Sequence, residues 1–119
     1  MITISIIVAG LCVVFYFVRF YSIKSDSMAP TLLTGDVVLA IRKSAKISDI
    51  VTFKHGDGKT FVKRLSGIPD SSHFFLTGDN YRNSFDSRYF GPVEKEKVKF
   101  VVTRVIGNIY DNNRSAVFN

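Results

Sequence analysis

The 119 residues carry 16 Lys and Arg against 10 Asp and Glu, a net charge of +6, with 46% hydrophobic residues and a single cysteine, Cys12. That length holds one small domain, and a lone thiol excludes an intrachain disulfide or a cysteine-based zinc cluster. The positive balance is spread along the chain without an arginine-rich helix or an aromatic stacking motif, so it excludes a nucleic-acid reader and fits an anionic membrane surface.

The first element is Ile2–Val18, ITISIIVAGLCVVFYFV, which has no charged side chain. Its composition predicts an apolar helix of roughly 26 Å at 1.5 Å per residue, against a bilayer core of about 30 Å. Phe20 and Tyr21 extend it into the interfacial layer as an aromatic belt, and Arg19 reaches the headgroups. A removable signal peptide would begin with a basic region and end in a small-x-small site. Met1 is instead followed directly by apolar residues, and FVRFYSIKS offers no such site. The expected organisation is therefore a transmembrane anchor over residues 1–22 and one domain over residues 23–119. Arg19 and Lys24 both lie on the C-terminal side of the span, a bias that by the positive-inside rule places the domain in the cytoplasm.

The remainder reads as short strands separated by turns. VVLAIRK (37–43), DIVTFKH (49–55), KTFVKRLS (59–66), HFFLT (73–77) and VKFVVTRVIG (98–107) are rich in Val, Ile, Phe and Thr, the residues that fit a pleated surface. Gly35-Asp36, Gly56-Asp57-Gly58, Pro69-Asp70-Ser71-Ser72 and Gly78-Asp79-Asn80 supply the turns. No window after the anchor has a helical apolar period. The fold class is mostly β, a small barrel-like antiparallel domain behind one N-terminal helix.

His55 and His73 lie at strand edges in no triad or metal-ligand spacing. A serine can instead be activated by a neutral lysine, which requires burial to lower an amine pKa from about 10.4. Lys95, Lys97 and Lys99 sit in a mixed charged run. In TFVKRL the two-residue period places Phe61, Lys63 and Leu65 on one face, so Lys63 is the candidate desolvated amine, with an edge-strand lysine that blocks aggregation as the plainer reading. The stretch LTGDNYRNSFDSRYFGPV (76–93) concentrates turn residues, serines and charges. There Asp86 and Arg88 can pair with each other or with Arg64, and Ser84 or Ser87 can orient the lysine.

Four stretches together resemble type I signal peptidase, the membrane-anchored Ser-Lys protease family. SDSMAPTL (25–32) is similar to its nucleophile box and Gly35-Asp36 to the next. KRLSGIPD (63–70) is similar to its general-base box, and GDNYRNSFDSRYFGPV (78–93) to its last. The resemblance implies Ser27 as nucleophile, Lys63 as general base, an oxyanion hole from the Ser27 N–H and the Ser25 hydroxyl, and Ser84 orienting Lys63. Arg64, Asp86, Arg88, Gly78, Asp79 and Asn80 become structural supports. Ile23, Met28, Leu32, Phe61 and Val62 become the lining of shallow pockets for small side chains. Met28 and Pro30 would hold Ser27 outward.

The family further implies signal-peptide-bearing preproteins as substrates, cleavage after Ala-x-Ala, no metal and no cofactor. It places the enzyme in the inner or cytoplasmic cell membrane, single-pass, with its N-terminus cytoplasmic and its catalytic domain on the extracytoplasmic side, against the charge bias. Two features depart from the pattern: Pro69 is followed directly by Asp70, and seven residues separate Asp70 from Gly78, so the chain resembles a minimal catalytic core. Rival readings are a conjugation-system peptidase that matures a pilin, a self-cleaving Ser-Lys repressor, and a non-catalytic membrane-anchored binding domain.

Overall fold

The computed structural model describes residues 1–118. Helix α1, Ile2–Phe17, leaves all its side chains exposed and ends where Val18 turns to an extended φ of −126°. No helix among the described residues is long and apolar enough to cross a membrane. The expected span is thus corrected at its C-terminal end, because Val18–Ser22 is strand β1 rather than helix. Valine, aromatics and alternation permit extended backbone, and pairing to residues 37–41 decides it, because that ladder satisfies the N–H and C=O groups that a continued helix would have used. Arg19, Phe20 and Tyr21 face Ala40, Leu39 and Val38 across that ladder.

The chain continues through β2 (Asp36–Arg42), β3 (Ile50–His55), β4 (Lys59–Asp70) and β5 (His73–Thr77). A one-turn helix α2 (Ser87–Phe90) leads to β6 (Val93–Glu94), β7 (Phe100–Asn108) and β8 (Ala116–Val117). Every predicted strand is present. β4 outlasts its predicted end because β5 pairs with its second half, and Pro69 is accommodated where the register of that ladder shifts between Gly67 and Asp70. The β3–β4 hairpin turns through Gly56 and Gly58, both at positive φ, which glycine adopts without the steric cost of a Cβ.

All ladders are antiparallel, in the order β1-β2-β7-β3-β4-β5-β6, with β8 added to β7. No ladder among the described residues joins β1 to β6, so the expected barrel-like sheet is an open path. Strand alternation sends neighbouring residues to opposite faces, and both faces are covered in its middle. Val38, Ala40, Ile50, Phe100 and Val102 join Met28 and Leu32 in one core, while Val51, Phe53, Leu65, Leu76 and Val101 form the other.

The C-terminal segment ties back to the start of β2. Asp36, fully buried, accepts hydrogen bonds from the Leu33 N–H (2.8 Å), Asn108 Nδ2 (2.7 Å) and the Arg114 guanidinium (3.0 Å). Burial pushes its pKa up, but these donors outweigh burial and hold it below the usual carboxylate value. Arg114→Ala leaves that carboxylate buried without its counter-charge, and should cost about 3–5 kcal/mol in chemical denaturation.

Candidate active site

Residues 23–36 leave β1 and return to β2. The Ile23 N–H donates to the Asp36 carbonyl and the Gly35 N–H to the Ile23 carbonyl, each at 2.8 Å. Met28 and Leu32 sink into the core at 1% and 0% exposure, drawing the loop down on either side of Pro30. Ser27 is left half-buried at the surface. Its hydroxyl lies 3.3 Å from the Ser25 hydroxyl. Its backbone N–H donates to no group among the described residues, so it is free to meet an incoming oxygen.

The segment after β5 clamps this loop. The Asn80 N–H donates to the Ser27 carbonyl at 2.9 Å, and Asn80 Nδ2 to the Asp26 carbonyl at 3.0 Å. Asn83 Nδ2 donates to both oxygens of the Asp26 carboxylate at 3.0 Å. Thr31 donates to Asp79, which also takes two bonds from the Arg64 guanidinium at 2.8 and 2.7 Å. Burial raises the pKa of Asp79, and the bonds from Arg64 and Thr31 more than reverse it. Of the two pairings open to Arg64 and Arg88, the structure therefore joins Arg88 to Asp86 and gives Arg64 to Asp79.

Gly78 lies where these segments meet. A Cβ there would overlap the Ser84 hydroxyl and the Ser27 carbonyl. The carbonyl is backbone and cannot swing aside. Gly78→Ala should therefore push the Ser27 loop away from Ser84, lowering stability by about 1–3 kcal/mol and activity at least tenfold in a peptide-cleavage assay.

Lys63, in β4, is 4% exposed. Its Nζ donates to Ser84 Oγ at 3.1 Å, and Ser84 Oγ donates on to Asp86 Oδ2 at 2.8 Å. Asp86, with no exposure, also accepts from the Gly78 N–H (2.9 Å) and from Arg88 Nε (2.9 Å). Desolvation lowers the Lys63 pKa; the Asp86 carboxylate opposes this and the Arg88 charge adds to it, leaving the amine below its ordinary value. Phe61 supplies part of the apolar wall, its ring centre 5.6 Å from Nζ.

Ser25, Ser27 and Lys63 line one cleft of about 810 Å³. One wall is residues 20–25 and the other residues 59–63, with Asn83 and Phe85 at the edge. Of the expected pocket residues, Ile23, Phe61 and Val62 line this cleft. Met28 and Leu32 do not, because their apolar side chains fill the core beneath the loop. Ser27 and Lys63 share the cleft without a hydrogen bond between them, Nζ being held by Ser84 and the Ser27 hydroxyl lying nearest that of Ser25.

Tyr21, Ser22, Thr60 and Asn83, together with Phe20, Lys24, Lys59 and Phe85, also line the cleft and escape sequence reasoning. The first two were hidden by their assignment to the membrane span. The bond from Asn83 to Asp26 crosses 57 residues, and no local pattern announces it. His55 stacks on Phe61 and Phe90, and His73 pairs with Asp70 at 2.9 Å. Among the described residues no group of three His, Cys, Asp or Glu side chains could hold a metal ion.

A serine with a free backbone N–H, across a cleft from a desolvated lysine, fits the class of serine endopeptidases. Residues 1–72 and 70–106 match the profile of the family described as Signal peptidase, peptidase S26, and the chain belongs to that family. It is 25% identical to Signal peptidase I V of Bacillus subtilis, over 70% of this chain and 82% of that protein. It is 31% identical to mitochondrial inner membrane protease subunit 1 of Schizosaccharomyces pombe, over 69% of each chain. Against the mitochondrial ATP-independent inner membrane protease subunit 1a of Arabidopsis thaliana, identity is 30% over 76% of this chain and 73% of that one. The chain is accordingly a hydrolase, a serine endopeptidase of the signal peptidase family.

Proposed function

We propose that this chain is a membrane-bound peptidase that removes N-terminal signal peptides from exported preproteins by a Ser27–Lys63 mechanism, cutting after small residues in an Ala-x-Ala pattern. The observation that carries the reading is the buried Lys63 amine, held by Ser84 on the wall of the cleft that also holds Ser27. Neutral Lys63 takes the Ser27 hydroxyl proton as Oγ, turning from Ser25, attacks the scissile carbonyl carbon. The oxygen that gains charge receives hydrogen bonds from the Ser27 N–H and the Ser25 hydroxyl. The ammonium of Lys63 returns the proton to the leaving amine as the C–N bond breaks, leaving an ester on Ser27. Water, deprotonated by Lys63, then releases the acyl group and regenerates the serine.

The cleft suits an extended peptide. Among the described residues β1 pairs only with β2, and residues 59–63 of β4 pair only with β3, so both walls offer unpaired strand edges to a substrate backbone. Tyr21 and Ile23 on one wall and Phe61 and Val62 on the other narrow the cleft with apolar bulk, which favours small side chains at the cut. The exposed apolar surface of α1 is the part that would lie in lipid. Seven residues, 18–24, separate it from Ser25, which keeps the nucleophile beside a substrate still held in the bilayer. In this reading the N-terminus is cytoplasmic and the cleft faces the other side of the cell membrane.

The test is cleavage of a preprotein bearing an Ala-x-Ala site by the full chain in lipid. A single cut after that site, together with covalent labelling of the Ser27 peptide by a serine-acylating penem, is the expected result. Cleavage of a pilin precursor alone would replace this reading by the specialised one, and labelling elsewhere would remove Ser27 from it.

A further inference from the structure

We infer that Arg19 and Arg42 form a binding site for the phosphate of an anionic phospholipid headgroup. The proposal rests on the membrane-bound reading and names the residues through which the domain meets the lipid surface. The register pairs Arg19 with Ala40 and Arg42 with Phe100, so alternation places both arginines on the sheet face that carries Ala40 and Phe100. Both guanidiniums lie against one ring, at 5.0 Å (Arg19) and 4.8 Å (Arg42) from the centre of Phe100. Two like charges sharing a ring repel each other, and an anion beside them would relieve that repulsion.

Among the described residues no carboxylate pairs with either arginine. The ion pairs among the described residues are Arg64–Asp79, His73–Asp70, Arg88–Asp86 and Arg114–Asp36. No acidic residue occurs in 17–21, 40–45 or 98–102, whereas two exposed lysines lie beside them in sequence, Lys43 next to Arg42 and Lys99 next to Phe100. Arg42 donates Nε to the Tyr16 carbonyl at 3.0 Å, and its guanidinium stacks 4.1 Å from the Tyr16 ring. That bond satisfies a carbonyl at the end of α1, but it leaves both terminal nitrogens of Arg42 without a partner among the described residues. Arg19 spends one nitrogen on its neighbouring Val18 carbonyl. The remaining N–H groups form two planar forks, the geometry that matches phosphate oxygens.

The position selects a lipid over a free anion. The pair sits at the foot of α1, whose 16 residues are apolar or uncharged and wholly exposed. A helix with that surface sunk in hydrocarbon brings its last turn, and with it Tyr16 and Arg42, to headgroup depth. Basic residues there attract anionic lipid. The headgroup phosphate would neutralise the arginine pair and fix the tilt of the β domain over the bilayer, holding the cleft at a constant height.

The experiment uses the full chain in neutral detergent micelles with nitrogen-labelled arginine side chains. It is titrated separately with dioleoylphosphatidylglycerol, dioleoylphosphatidylcholine and inorganic phosphate. Saturable shifts of the Arg19 and Arg42 Nε–H signals with phosphatidylglycerol alone are expected. Arg19→Gln, which leaves the Arg42–Tyr16 bond untouched, should weaken that response about fivefold, and Arg19→Lys should restore part of it. An equal response to phosphatidylcholine, or an unchanged one in Arg19→Gln, overturns the site. An equal response to inorganic phosphate overturns the lipid as its source. Preprotein cleavage is read in the same micelles: cleavage without headgroup preference removes only this site, and preference without cleavage removes only the peptidase reading.

Discussion

Lys63→Met should lower kcat for preprotein cleavage by about 10²–10⁴-fold, the range for loss of a positioned general base, with KM little changed. Methionine keeps the length and apolar contacts of the lysine stem, so the cleft wall formed with Phe61 survives. What disappears is the amine that Ser84 holds. Ser27→Ala should be equally inactive, and the double variant no worse than either, because two groups acting in one step do not contribute additively. Cleavage above a tenth of the wild-type rate in Lys63→Met would remove lysine from the chemistry.

The pH dependence has a definite sign. In the proposed mechanism Lys63 acts when neutral, and burial places its pKa below the usual lysine value. The wild-type kcat/KM should therefore rise with pH through that lowered pKa, and the acid limb should be missing from the residual activity of Lys63→Met. Stability moves with the same proton. The native state resists protonation of the buried amine and the unfolded chain does not. The resulting penalty is full below the folded pKa and disappears as pH rises to the unfolded value of about 10.4. Lys63→Met should thus unfold at a higher temperature than the wild type at neutral pH, a gain in stability accompanying a loss of function.

The difference between what the sequence conveys and what the fold adds is clearest along β1 and β4. Alternation in TFVKRL pointed to Lys63 as the buried amine, because a lysine between Phe61 and Leu65 on one strand face has a signature of period two. The five main strands were legible for the same reason. Val18–Ser22 was not: an apolar run followed by aromatics reads equally well as the end of a membrane helix, and only pairing with β2 decides it. The resemblance implies Met28 and Leu32 as pocket lining. The turn around Pro30 instead points both into the core. The bonds that fix the nucleophile loop, Asn83 to Asp26 and Thr31 to Asp79, span 57 and 48 residues. No local rule of spacing reaches that far.

In the proposed mechanism Asp86 acts on both folding and rate without touching substrate. Its Oδ2 accepts from the Gly78 N–H, the Ser84 hydroxyl and Arg88, and its Oδ1 from Arg88 again. Asp86→Asn puts an NH₂ group among donors and leaves Arg88 without its counter-charge. The expected cost is about 3–5 kcal/mol, a large share of the roughly 5–15 kcal/mol that holds a small domain together. Ser84 then loses its acceptor and Lys63 its orientation, so activity measured well below the melting temperature should fall as well. Burial pushes the Asp86 pKa up, but the bonds from Arg88, Gly78 and Ser84 overcome this and lower it to about 2. A depressed carboxylate contributes stability above its unfolded pKa, near 3.9, and that contribution is lost as pH falls toward 2. At 1.36 kcal/mol per unit it amounts to about 2–3 kcal/mol. Acid unfolding of Asp86→Asn should therefore be shallower between about pH 4 and 2 than that of the wild type, though not flat, because Asp36 and Asp79 are lowered too. An unchanged acid slope would mean that Asp86 is not the buried ion on which the Ser84–Lys63 arrangement rests.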